Sequence, residues 1–252
     1  MAAPVLWHIE ISHYNEKARW ALDYKGVPHR RRAPMPGVLH PVVALAKTRK
    51  PTFPILDIDG ETIGDSTRII ETLERRYPEP PLYPADPDER RRALELEDFF
   101  DEEVAPYLRR LMFWEMSRDR ERASDGLRVL GAPVPPGPLA GAAVGLVARR
   151  YGGKPEVMET ARQKGIAGYE RVAAEVGPSG YLVGDSFSVA DLTAASILFH
   201  LADPPEFQYV IPEFPPSAYE FRDSLPPESL EWIRRMWREH RPASAEIAVA
   251  SG

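Results

Sequence analysis

The chain has 252 residues, 43% of them hydrophobic and 28% charged, with a formal net charge of −6. That balance fits a soluble globular protein of one large or two modest domains, and its negative sign argues against nucleic acid as a main partner. The chain has no cysteine, which excludes disulfides, thiolate metal sites and a cysteine nucleophile, so any thiol chemistry must use a ligand's sulfur.

No run of apolar residues approaches the ~20 that would span a bilayer. The stretch Pro4-Val5-Leu6-Trp7 lacks the basic start and long apolar core of a signal peptide. A cytoplasmic location with no membrane partner is expected.

In chain order, Val5 to Ile11 reads as a first strand, and Ser12-His13-Tyr14-Asn15 breaks its alternation. A helix is predicted from about Asn15 to Lys25, with Gly26 at C′ and Pro28 just beyond. Residues 29–51 read as loop, with a short helix over Val42 to Lys47. Asp59-Gly60 between two alternating apolar runs predicts a tight hairpin. Pro54 stands where a ladder donor is lost, which marks an edge or a special turn and predicts a cis Phe53-Pro54 bond. That would leave the backbone of Phe53 free to pair with an extended, peptide-like ligand. Asp65-Ser66-Thr67 then opens an amphipathic helix to Arg76, whose free N–H groups and positive dipole end suit a carboxylate.

Tyr77 to Pro84 is rich in proline and reads as a linker, and Asp86-Pro87 starts a helical region. Glu89 to Met116 is helical in pattern, with Pro106 predicting a kink or break. Glycines and prolines near 123–155 suggest an insertion. Val157 to Glu175 is a further helix. Ser188 and Asp191 form a capping-box pattern ahead of the apolar helix Leu192–Leu201. A last helix covers about Glu228 to Glu239, followed by an Ala/Ser-rich end expected to fray.

The hairpin with Asp65-Ser66 resembles the thiol-binding half of the cytosolic glutathione transferases. Gly184 to Asp191 matches the buried capping motif of their helical domain, whose role is folding. Ser12 to Leu22 looks like bacterial serine-type, theta-like members reading Ser-x-aromatic-Cys/Ser-x-Lys-x-Arg, and the distance from Ser12 to Gly26 is also similar. Asn15 replaces the small residue often found there, so the sulfur contact falls to Ser12 or Asn15.

The resemblance implies an α/β plus all-α protein. It has a thioredoxin-like thiol-binding domain at 1–78, a linker at 79–84, and an all-α domain at 85–252 with the insertion near 123–155. It implies that Phe53 and Pro54 bind the cysteinyl backbone of glutathione, and that Asp65 and Ser66 hold its γ-glutamyl end. His40 is a candidate for the glycine carboxylate, and Phe113 and Trp114 for a pocket taking a small hydrophobic electrophile. Glutathione would be a co-substrate, with no metal, and the assembly a homodimer. A glutathione S-transferase is the expected activity. A glutathione-dependent isomerase or dehalogenase and a non-catalytic ligand-binding or regulatory protein of the same fold are the alternatives.

Overall fold

The computed structural model describes residues 2–35, 39–119, 124, 126–128 and 155–248; the insertion near 123–155 lies almost entirely outside them. Four short strands, β1 (Val5–Trp7), β2 (Arg30–Arg32), β3 (Ile55–Ile58) and β4 (Glu61–Gly64), form one sheet in the order β2-β1-β3-β4. β1 pairs parallel with β2 and antiparallel with β3, and β3 pairs antiparallel with β4. A parallel pair needs a crossover, which is α1 (His13–Tyr24). Helix α2 (Leu39–Thr48) leads to β3, and α3 (Ser66–Arg76) follows β4. This is the thioredoxin-like arrangement.

Two of its turns follow directly from glycine chemistry. Asp59 (φ 49°) and Gly60 (φ 84°) join β3 to β4 with both central residues left-handed, as a two-residue type I′ hairpin requires. Gly26 (φ 60°) closes α1: its N–H donates to the Asp23 carbonyl at 2.9 Å, and Val27 N–H to Leu22 at 2.9 Å. These two bonds make a Schellman stop.

The sheet buries both faces. Leu6, Leu56, Ile58 and Ile63 pack with α1 and α3, whereas Trp7, Ile9, Phe53 and Ile55 pack with Ala44 and Val43 of α2. Each such side chain contributes roughly 1.5–3 kcal/mol on full burial. The Phe53–Pro54 bond is cis, as the sequence predicts.

The rest is helical: α4 (Pro87–Asp98), a π-helical turn (Phe99–Val104), α5 (Ala105–Arg118), α6 (Pro155–Glu175), α7 (Val189–Ala202), α8 (Pro216–Asp223) and α9 (Pro227–His240). The break predicted at Pro106 takes the form of the π turn. The ladder widens over 99–104, and α5 restarts with Pro106 in its first turn, where a missing N–H costs nothing. Helix α7 is buried along nearly its whole length. Leu182 N–H and Ser188 N–H and Oγ–H all donate to the Asp191 carboxylate at 2.8–2.9 Å, which places this capping box in the folding core. Burial pushes the Asp191 carboxyl up to about 6 against those three bonds. Trp20 of α1 stacks on Phe187 and tilts against Trp237 of α9, so one hydrophobic core runs through both regions.

Three expectations change. The first strand ends at Trp7, because residues 8–12 turn to begin α1. Residues 29–51 contain a strand, β2, and a longer helix, α2. The C-terminal segment to residue 248 is tied down rather than frayed. His29 N–H donates to the Ala245 carbonyl, Ile247 N–H to the His29 carbonyl at 2.8 Å, and Ala245 N–H to Asp23 Oδ1 at 2.8 Å. Among the described residues no helix is long and apolar enough to cross a membrane.

Candidate functional site

The β1–α1 loop is fixed from below by charged side chains that the helix buries. Arg19, fully buried, donates to the Ile9 and Glu10 carbonyls at 3.2 and 2.7 Å and to Glu16 at 2.7 Å. Burial disfavours the Glu16 carboxylate, but Arg241 and Arg19 outweigh it and hold its pKa below the usual range. Asn15 Oδ1 accepts from Ile9 N–H at 3.1 Å, while its buried Nδ2 has no partner. These contacts leave Ser12 half-buried at the α1 N-cap, with extended backbone (φ −76°, ψ 129°) and no side-chain capping bond. Its hydroxyl sits at a positive helix end and has no hydrogen bond to a described residue. Tyr14 is committed elsewhere: its hydroxyl donates to the Asp101 carbonyl at 2.6 Å, and burial pushes its pKa up.

At the start of α3, Asp65 is the N-cap. Its Oδ1 accepts from Thr67 N–H at 3.0 Å and Arg68 N–H at 3.3 Å. Its φ of 85° is a conformation that non-glycine residues seldom take, and such strain gathers at functional sites. Ser66 follows, buried, with no side-chain bond to a described residue. A buried cluster joins this end of α3 to α1. Lys17 Nζ donates to Thr67 Oγ1 at 3.1 Å and Glu97 Oε1 at 2.7 Å, and also to Asp101 Oδ2. Burial works against the Lys17 ammonium, but Asp101 and Glu97 outweigh it and raise its pKa. Removing one partner of such a cluster strands a buried charge. The cluster thus ties α1, one turn in from its start, to the first turn of α3. The charged run Glu16-Lys17 and Arg19 ahead of the apolar Trp20-Ala21-Leu22 is the hint of it in the sequence.

On the other face, the His40 ring in the first turn of α2 meets Phe53 edge-on with centroids 5.6 Å apart. Burial lowers its pKa. Lys47 of the same helix donates to Asp57 Oδ2 at 2.6 Å, as does Trp7 Nε1 at 2.8 Å, so α2 is moored to the sheet. Among the described residues Phe53 has no backbone hydrogen-bond partner, and Asp65 N–H donates to the Pro54 carbonyl at 3.3 Å. Phe53, Pro54, His40 and Asp65 therefore lie together. Phe113 and Trp114 do not line the cavity found beside α5. Trp114 packs on the core instead, and the cavity takes Leu108, Arg109, Met112 and Glu115 from that helix, with His13 from α1.

His200 closes the back of the loop by donating from Nε2 to the Ile11 carbonyl at 2.8 Å, and burial lowers its pKa to about 4. The folded state therefore binds fewer protons than the unfolded chain between pH 6.5 and 4. Its contribution is complete above pH 6.5 and is lost as pH falls through about 4. Denaturant titrations at stepped pH should show a loss on the order of 3 kcal/mol from this residue over that window. His200→Gln should flatten the acid limb, and an unchanged slope would refute the assignment.

Residues 6–81 match the family model described as glutathione S-transferase, N-terminal domain. The chain is 38% identical over 88 residues to a maleylpyruvate isomerase from Ralstonia sp, a match covering 34% of the chain and 40% of that relative's length. It is 27% identical over 189 residues to a maleylacetoacetate isomerase from Dictyostelium discoideum, covering 66% of the chain and 72% of the relative. In structure it is similar to a glutathione S-transferase from Methylobacterium radiotolerans in complex with glutathione sulfonate, with a TM-score of 0.62, 19% identity and full coverage of both chains.

Proposed function

We propose that the chain is a member of the cytosolic glutathione transferase superfamily, whose N-terminal domain residues 6–81 match, and that it activates the thiol of glutathione, or of a similar low-molecular-weight thiol, for attack on a small electrophile. The observation that carries this is the Ser12 hydroxyl at the N-cap of α1, without a hydrogen bond to a described residue, on a helix that Lys17 ties to the first turn of α3 at Thr67. Ser12 donates a hydrogen bond to the thiolate, as in serine-type members, and the helix end adds its field. Ser66, through its hydroxyl and backbone N–H at the α3 N-terminus, receives the γ-glutamyl carboxylate, and the Asp65 oxygen not used in capping receives its ammonium. The backbone of Phe53 pairs with the cysteinyl unit, and His40 stands at the glycine end.

A second reading is favoured by the names of the two isomerase relatives. There the thiolate adds to a carbon–carbon double bond, the adduct rotates, and the thiolate leaves again, so the thiol is not consumed. Both readings use the same serine. Retention on glutathione resin, followed by turnover with glutathione and chlorodinitrobenzene, is the test. Retention with thiol loss supports the transferase reading. Retention with turnover of a cis-enedione acid at constant thiol concentration supports the isomerase. Retention with neither reduces the protein to a binder, and no retention refutes the site.

A further inference from the structure

The cavity beside α5 is closed by α6, α7, α8 and the first turn of α1. Most of its wall is apolar, including Leu108, Met112, Leu201 and Phe221. Two polar atoms on it stand apart. His13 is 4% exposed and its Nε2 has no hydrogen-bond partner, and the buried Nε of Arg109 has none either. The other polar groups of the wall are engaged. Ser217 Oγ donates to Glu115 Oε2 at 2.6 Å, and Arg118 lies 3.8 Å from the same oxygen. His200 donates to Ile11, Tyr169 donates to the Leu198 carbonyl at 2.8 Å, and the Arg162 guanidinium lies 4.8 Å over the Phe221 ring.

A buried N–H without an acceptor is unfavourable, and a ligand that supplies one relieves it. Beside a guanidinium an anionic acceptor does this better than a neutral one, because the hydrogen bond is charge-assisted. A doubly charged phosphate would bring more negative charge than Arg109 offsets within an apolar wall. We propose that this cavity binds a small organic acid with an apolar body, its carboxylate received by Arg109 and His13. Burial, with His200 and Arg109 adding to it, lowers the His13 pKa, so its imidazole is neutral, and in the tautomer protonated at Nε2 it would donate to the acid without a second charge. His13 adjoins Ser12 in the chain, so the acid would be the second substrate of the thiol chemistry. That role rests on the reading above, whereas the binding does not.

Calorimetric titration of the full chain with 3-phenylpropanoate and with 3-phenylpropan-1-ol, both without thiol, separates charge from apolar fit. The acid should bind at least tenfold tighter than the alcohol. Arg109→Met should bring the acid down to the alcohol's affinity and leave the alcohol unchanged. Arg109→Lys, which keeps the charge, should retain part of the preference and guards against a misfolded variant. Equal affinities in the wild type, binding of neither compound, or a preference that survives Arg109→Met overturns the proposal. With no thiol present, that failure leaves glutathione binding untouched, and a failure on glutathione resin leaves this result standing.

Discussion

Ser12→Ala is expected to lower kcat more than tenfold, with little change in glutathione affinity or in melting temperature. The three readouts belong together. A free thiol has a pKa of ~8.5, so little is ionised at neutral pH. One charge-assisted hydrogen bond plus the α1 dipole can lower that by ~1.5–2 units, equivalent to ~2–3 kcal/mol. Losing the hydroxyl returns much of it, which is ample for a tenfold loss at ~1.4 kcal/mol per decade. The pH–rate midpoint should move up toward that of the free thiol. Docking of the remaining tripeptide uses other groups, so affinity holds. Stability holds because the Ser12 side chain makes no capping bond; an N-cap serine that did would cost ~0.5–2 kcal/mol on truncation. A lowered melting temperature with unchanged kcat would make Ser12 a cap and nothing more. Asn15→Ala should act differently. Its Oδ1 holds Ile9 N–H, so its loss loosens the loop and lowers stability and turnover together.

The parts of this site that were legible in the sequence are the local ones. Ser12 between strand and helix, Asp59-Gly60 in its turn, and Asp65-Ser66 at a helix start are each specified by neighbours within a few residues. The Phe53–Pro54 geometry was legible for the same reason. What was not legible is made of long-range pairs. β2 is Arg30-Arg31-Arg32, three charged residues with no strand pattern, and it exists because Val5–Trp7 and the Ala245–Ile247 segment flank it. The Lys17 cluster draws on α1, α3, α4 and the π turn, so no window of sequence contains it. The cavity is built likewise from five helices, and His13 and Arg109 meet there although 95 residues of chain separate them. The positive φ of Asp65 is also invisible to propensity, since aspartate at a helix start is ordinary and only its backbone is not.

Asp65 is the second residue whose replacement should have a large effect, and its two roles can be separated. The structure shows one of them: Oδ1 caps α3 through Thr67 and Arg68. The other, pairing with the γ-glutamyl ammonium, would use the carboxylate's charge. Asp65→Asn keeps a capping oxygen and tolerates positive φ, but removes the charge. It should weaken glutathione binding roughly tenfold while the melting temperature stays put. A charge-assisted contact of ~1.5–3 kcal/mol would allow up to a hundredfold, but Asp65 is solvent-exposed before ligand arrives, which favours the lower end. Asp65→Ala should lose the same affinity and also ~0.5–2 kcal/mol of stability, because it loses the cap and places a Cβ at φ 85° with no compensating bond. Asp65→Gly should fall between them in stability, since glycine takes that backbone freely and is a tolerable N-cap. In all three variants the reactivity of bound thiol should be nearly intact, because Ser12 is unchanged. Calorimetry and thermal melts on the set decide the matter. If Asp65→Asn binds glutathione as the wild type does, the charge has no ligand to meet, and the strain at φ 85° serves only to aim the α3 N-terminus.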